Sequence, residues 1–185
     1  MKTEQQYYDE SPSIQEYMEK MSQLKEPSFQ IYHQFEVPQD AFIQQLKAAN
    51  VHILAITEDW CGDAMLNNPI IRKVAEAAGV EVRTVLRDED TDLIDRYLTN
   101  GGRAIPIYLV LNESGEVIAK WGPRAPELQK YVMDGRAQLP AKEDPSFEEK
   151  SKAFYDELRR AYTERTAYWM NVYDSFKQAI SPKLS

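Results

Sequence analysis

The sequence predicts an α/β protein of three layers, in which a mixed sheet lies between helices and helical extensions flank it at both ends. Two observations support this prediction. Short apolar runs alternate with amphipathic helical patterns between residues 39 and 135, the order typical of a sheet covered on both faces. A turn alone separates the last two runs, so an antiparallel pair joins the sheet and makes it mixed.

The N-terminal part is predicted to be helical after a polar start of a dozen residues that we expect to be loosely held. Apolar residues recur at helical spacing from Ile14 to Leu24. This helix should end before Pro27, because the residue before a proline avoids helical backbone angles. A second helix is predicted over 39–49, with Asn50 at its end.

The central part supplies four predicted strands. The run 51–56 is short, apolar and rich in β-branched residues, which is typical of a buried central strand. The other strands are predicted over 80–86, 105–111 and 116–121, and a turn over 112–115 joins the last two. Helices are predicted over 65–79, 93–98 and 125–135. Pro69 should kink the first of these helices, because it removes one backbone hydrogen bond.

One long amphipathic helix, or two with a break, is predicted between residues 145 and 180. We interpret its apolar stripe as a face that packs against the central domain, and the alternative is a surface for a homodimer or another partner. The stripe contains Phe154, Leu158, Tyr162, Trp169 and Phe176. The predicted division is an N-terminal helical extension over 1–37, a central domain over 38–139 and a C-terminal helical extension over 140–185.

Charge and hydropathy exclude several classes of protein. Acidic residues outnumber basic ones by 30 to 22, giving a formal net charge of -8, whereas a nucleic-acid binder needs a basic face. No run of about 18 apolar residues is present to span a membrane. The start of the chain lacks the basic and apolar stretches of a signal peptide. We therefore expect a cytoplasmic protein without nucleic-acid or membrane partners.

The chain has a single cysteine, Cys61, which excludes an intramolecular disulfide and a cysteine-rich zinc site. The two histidines, His33 and His52, have no second ligand at suitable spacing, so we expect no metal and no cofactor.

Cys61 lies where a predicted strand meets a predicted helix. If the helix begins at Gly62 or Asp63, its free N–H groups and its dipole stabilise a thiolate. Trp60 adds a flat apolar surface beside the thiol. Asp59 and Asp63 oppose the thiolate, and the sequence leaves open which effect dominates. The alternative is that Cys61 is an inert core residue.

Three segments resemble the thioredoxin family. Residues 60–64, Trp-Cys-Gly-Asp-Ala, resemble its W-C-G-P-C active site, which also follows a buried strand. Residues 104–106, Ala-Ile-Pro, resemble the family's isoleucine–proline pair, in which the proline is cis and faces the active-site cysteine. Residues 112–117 resemble its N-G-E-V hairpin. The resemblance covers residues 38–136 and suggests a divergent bacterial branch with a thioredoxin-like three-layer α/β/α fold.

The departures from the family pattern limit the chemistry that the resemblance implies. Ala64 stands where the resolving cysteine would be, so a mixed disulfide on Cys61 needs an external thiol. Asp63 replaces a proline, and Ala55 replaces a buried acid. We therefore predict monothiol thiol–disulfide exchange with a protein or a low-molecular-weight thiol or disulfide as substrate, in cell redox homeostasis.

The resemblance also implies a substrate-binding set of Trp60, Gly62, Asp63, Arg103, Ile105 and Pro106 beside the catalytic Cys61. The backbone of Ile105 would pair with an extended substrate chain. Arg103 would lower the thiol pKa or hold the carboxylate of a small thiol, unless it is a solvated loop residue.

Two other functions stay open. The fold could serve as a redox-inactive binding module, in which Trp60 and Ile105 dock an extended segment. The third option is an iron–sulfur cluster, as in single-cysteine glutaredoxins, although residues 61–64 do not resemble their C-G-F-S signature.

Overall fold

A four-stranded mixed sheet organises the computed structural model of the protein, which describes residues 1–184. The strands are β1 (His52–Thr57), β2 (Val82–Leu86), β3 (Ile107–Leu111) and β4 (Val117–Trp121). Their order in the sheet is β2-β1-β3-β4. β1 runs parallel to β2, and β3 runs antiparallel to both β1 and β4. The predicted α/β class and the mixed sheet are therefore confirmed.

Helices cover both faces of this sheet. In chain order they are α1 (Glu4–Glu10), α2 (Ile14–Glu19), α3 (Lys25–Gln34), α4 (Ala41–Ala48), α5 (Gly62–Ala78), α6 (Thr91–Ile94), α7 (Pro126–Ala137), α8 (Phe147–Glu164) and α9 (Thr166–Ile180), followed by a 3₁₀ turn over Ser181–Lys183. The alternation of β1 divides the apolar core, because Ile53 and Ala55 face one layer and Leu54 and Ile56 face the other. None of the helices within residues 1–184 is long and apolar enough to cross a membrane.

The N-terminal residues differ from the loose start that the sequence suggested. Thr3 caps α1 through a hydrogen bond from the Gln6 N–H to its side chain, and Tyr7 and Tyr8 of this helix are buried. Polar composition misled the prediction, because two consecutive buried aromatic residues are enough to hold this short helix on the sheet.

The helix predicted from Ile14 to Leu24 is also wrong in its second half. α2 ends at Glu19, and α3 begins at Lys25, so Pro27 lies in the first turn of a helix rather than beyond the end of one. A proline is tolerated there because the first N–H groups of a helix have no acceptor within that helix.

Pro69 lies inside α5, which continues without a break from Gly62 to Ala78. A proline has no N–H to donate to the carbonyl four residues earlier, which here belongs to Met65. The Ser28 hydroxyl of α3 donates to that carbonyl at 2.9 Å, and this contact is fully buried. A hydrogen bond between helices thus replaces the one that Pro69 removes.

The C-terminal pattern forms two helices, which break at Arg165. Most of the aromatic stripe faces the interior, since Leu158, Tyr162, Trp169 and Phe176 are buried. The boundaries at 37/38 and 139/140 stay predictions.

Candidate functional site

Cys61 is the N-cap residue of α5, which begins at Gly62, the earlier of the two starts that the sequence left open. Its backbone is extended, with φ -85° and ψ 123°. The backbone N–H groups of Asp63 and Ala64 act to lower the pKa of the Cys61 thiol and therefore favour its thiolate. The site therefore contains a helix N-terminus, which is one of the features that lower the pKa of a thiol.

Burial outweighs these donors. Only 8% of Cys61 is exposed, and its thiol donates to the Ile105 carbonyl with an Sγ to O distance of 3.6 Å. Burial, followed by the negative charge of Asp63, raises the pKa of the Cys61 thiol to about 11, although Arg124 acts in the opposite direction. The balance that the sequence left open thus favours a protonated thiol at neutral pH.

Two cis prolines lie in segments that contact each other, and the first of these segments contacts this thiol. The Ile105–Pro106 peptide bond is cis, as the resemblance implied, and so is Gly122–Pro123. Gly122 has a φ of +129°, and a Cβ added there would lie 2.2 Å from the Pro106 carbonyl oxygen. The two cis segments are therefore in direct backbone contact, which only a glycine at position 122 permits.

Asp63 is the centre of a buried polar cluster. Its Oδ1 accepts a hydrogen bond from the Tyr162 hydroxyl at 2.8 Å. Its Oδ2 forms an ion pair with Arg124, whose Nη2 lies 2.8 Å away. The side chains of Asp63 and Arg124 are 11% and 14% exposed. The aspartate that replaces the family's proline thus joins α5, the β4–α7 loop and α8.

Helix α8 closes one side of the site. A Cβ added at Gly62 would lie 3.5 Å from Cγ of Arg159, so the aliphatic stem of Arg159 covers the start of α5. Arg124, Arg159 and Tyr162 are absent from the predicted site. The aromatic stripe predicted that α8 packs against the central domain. Local spacing could not predict that α8 packs at the start of α5.

A chain of hydrogen bonds lies on the face of β1 that carries the fully buried Ala55, in the core layer that does not contain Cys61. The Tyr108 hydroxyl donates to Asn68 Oδ1 at 2.5 Å, and Asn68 Nδ2 donates to Thr57 Oγ1 at 3.0 Å. Asn68, Tyr108 and Thr57 were also missed by the sequence analysis, because they are polar residues within apolar patterns. These three residues place buried polar groups near Ala55, the position at which the family has a buried acid, but none of them is a carboxylate.

Trp60 and Arg103 lie at the surface. Trp60 is 44% exposed, and the Arg87 guanidinium is 5.0 Å from the centroid of its ring. Arg103 forms two hydrogen bonds to Asp95, at 2.7 and 3.0 Å, so its guanidinium is engaged by a surface carboxylate. Arg124, rather than Arg103, is the arginine whose charge lowers the pKa of Cys61. In residues 1–184, no three His, Cys, Asp or Glu side chains are grouped to hold a metal ion.

A helix N-terminus beneath a lone cysteine, a cis proline whose preceding carbonyl contacts that cysteine, and a β2-β1-β3-β4 mixed sheet define a protein of the thioredoxin fold. The family model described as Thioredoxin matches residues 11–140, and the chain belongs to this family. The matched region includes α2 and α3 as well as the sheet.

Two solved structures share the fold. A protein of unknown function from Pseudomonas aeruginosa superposes with a TM-score of 0.59 at 17% identity, over 94% of this chain and 99% of that one. An HIV epitope-scaffold (4E10) gives 0.58 at 14% identity with the same coverage. No curated protein matches the sequence at a significant level.

Proposed function

We propose that the protein carries out thiol–disulfide exchange through Cys61 alone, with an external thiol as the resolving group. The observation that supports this proposal is the position of the sulfur. Sγ of Cys61 lies at the start of α5 and 3.6 Å from the carbonyl oxygen of Ile105, whose peptide bond to Pro106 is cis. An extended substrate chain that pairs with this backbone would bring its disulfide to the sulfur.

The exchange has two steps. The Cys61 thiolate attacks the small-thiol sulfur of a protein mixed disulfide, so that a new S–S bond forms on Cys61 and the protein leaves as a thiolate. A second small thiolate then attacks the mixed disulfide on Cys61, releases the symmetrical small disulfide and restores the Cys61 thiolate. The external thiol is required because position 64 is alanine and the chain has one cysteine.

Alkylation of Cys61 is expected to be slow at neutral pH and to accelerate about tenfold per pH unit between pH 7 and 10. A thiol with a pKa of about 11 carries about two orders of magnitude less thiolate at pH 7 than an ordinary cysteine. Iodoacetamide kinetics measure this rate, and the same protein unfolded in urea is the control. A plateau below pH 8.5 in the folded protein would contradict the assignment.

Turnover is expected to depend on Cys61 and to rise with pH over the same range. A glutathionylated peptide with excess glutathione is a suitable assay, because both steps use one small thiol. Cys61→Ser should reduce the rate at pH 9 to that of the uncatalysed reaction. Equal rates for wild type and Cys61→Ser at pH 9 would refute the exchange function.

A redox-inactive binding module is the second candidate, and the 8% exposure and raised pKa of Cys61 favour it. In this case Trp60 and the backbone of Ile105 dock an extended segment, and the thiol fills space. If this candidate is right, Cys61→Ser should bind such a segment as well as the wild type does, and the wild type itself should show no exchange above the uncatalysed rate.

A further inference from the structure

A cavity of about 420 Å³ lies at the outer edge of β2. β2 and the cis proline are on opposite sides of β1, because β3 follows Pro106 and the sheet order is β2-β1-β3-β4. The walls of the cavity come from α1, Pro12, α2, the C-terminal half of β2 and the loop that precedes Cys61. The cavity therefore lies on the opposite side of β1 from the Ile105–Pro106 segment.

The outer edge of β2 forms an antiparallel bridge between Arg83 and Ser13, and beyond this bridge its backbone is open along the cavity. The Arg87 N–H donates to the Thr57 carbonyl of β1 at 3.1 Å. Because alternate residues of a parallel strand bond to opposite neighbours, the backbone N–H and C=O groups of Thr84 and Leu86 point away from β1. Pro12 accepts the Thr84 N–H at 2.9 Å but has no N–H to donate to the Thr84 carbonyl. Neither the Thr84 carbonyl nor the Leu86 N–H has a partner within residues 1–184.

Two buried hydroxyl groups in the cavity walls are also unpaired. Tyr17 is 9% exposed and Thr84 is 3% exposed, and both side chains line the cavity. Neither hydroxyl has a hydrogen-bond partner in the part of the chain that the structure describes. Buried polar groups in folded proteins are nearly always paired with protein or water, so these hydroxyls are available to a polar occupant of the cavity.

The charges around the cavity favour a cation. Its walls contain five carboxylates and two lysines, and Lys2 already pairs with Glu10 at 2.6 Å. The carboxylates are Glu10, Glu58, Asp59, Glu89 and Asp90. Glu89 is exposed and, among the described residues, takes no part in a salt bridge. A positively charged group therefore has a carboxylate available at the cavity mouth.

We propose that this cavity binds a short extended peptide segment with a lysine or arginine side chain, which adds to the edge of β2 in the parallel direction. In that direction a single peptide residue donates its N–H to the Thr84 carbonyl and accepts the Leu86 N–H. The basic side chain lies against the wall carboxylates, and the polar groups of the peptide meet the Tyr17 and Thr84 hydroxyls. This binding involves no redox step and does not depend on Cys61.

Fluorescence anisotropy with a labelled pentapeptide of alternating valine and lysine tests the proposal. Saturable binding is expected, with at least tenfold weaker binding when the lysines are replaced by glutamates or when the backbone is N-methylated. Lysine amide serves as the small-amine competitor. Absence of saturable binding, equal binding by the N-methylated peptide, or competition by lysine amide as strong as by the unlabelled peptide would overturn strand addition.

Variants locate the site. Glu89→Lys should weaken binding at least tenfold, whereas Glu148→Lys, the same charge change on exposed α8, should leave it unchanged. Thr84→Val keeps the side-chain shape and should weaken binding several-fold. Cys61→Ser should bind as the wild type does, so this result is independent of the exchange reaction. Equal binding by Glu89→Lys and Glu148→Lys would place the peptide elsewhere and refute the proposal.

Discussion

Replacement of Gly122 by alanine is expected to destabilise the protein by about 3 kcal/mol or more. Gly122 has a φ of +129°, a conformation that side-chain-bearing residues rarely adopt, and the new Cβ would lie 2.2 Å from the Pro106 carbonyl oxygen. The obstacle is backbone and cannot be relieved by a rotamer change. Urea denaturation should show a lower midpoint, and alkylation of Cys61 should accelerate because the Ile105–Pro106 segment must shift.

Gly102→Ala is the matched control. Gly102 does not have a positive φ, and a Cβ there would be 3.5 Å from the Thr99 carbonyl oxygen, which is an ordinary contact. This variant should lie within about 0.5 kcal/mol of the wild type. A Gly122→Ala protein as stable as Gly102→Ala would show that the two cis segments do not constrain each other.

The Asp63→Asn variant is expected to be less stable than the wild type and to have a Cys61 thiol that is alkylated faster. Loss of the carboxylate leaves Arg124 buried without its ion-pair partner, which should lower the free energy of unfolding by about 3 kcal/mol. The negative charge of Asp63 also raises the pKa of Cys61, so its removal should lower that pKa. A decrease of one pKa unit corresponds to about tenfold faster alkylation at pH 8.

Asp95→Asn provides the comparison at the surface. It also removes a carboxylate from an arginine, but Arg103 and Asp95 are 50% and 44% exposed. The expected loss is below about 1 kcal/mol, with no change in the alkylation of Cys61. Equal losses in the two variants would mean that the Asp63–Arg124 pair contributes no more than a surface ion pair.

The fold was predictable because its signals are local. The apolar run of β1, the hairpin turn and the amphipathic helices are written in neighbouring residues, and the segments around Cys61 and Pro106 resemble known family patterns. Local rules failed where one residue type has two uses. Pro27 can end or begin a helix, and here it lies in the first turn of a helix whose Ile31 is buried in the core.

The candidate site was only partly predictable because its electrostatics depend on distant parts of the chain. Asp63 and Tyr162 are separated by 99 positions, and nothing in either local pattern couples them. The sequence could state that the helix N-terminus and Asp63 oppose each other at Cys61. It could not give the degree of burial, which is the largest influence on the pKa of this thiol.

The hydrogen bond from Ser28 to Met65 also bears on which fragments of the chain can keep the structure around Cys61. Helix α5 begins at Gly62 and presents Cys61 at its cap, yet a hydroxyl from α3, 37 positions earlier, occupies one of its carbonyl groups. A fragment that starts at residue 38 would lack both this hydroxyl and the rest of α3, which packs on α5. We therefore expect the segment that presents Cys61 to keep this structure only in a fragment that includes α3.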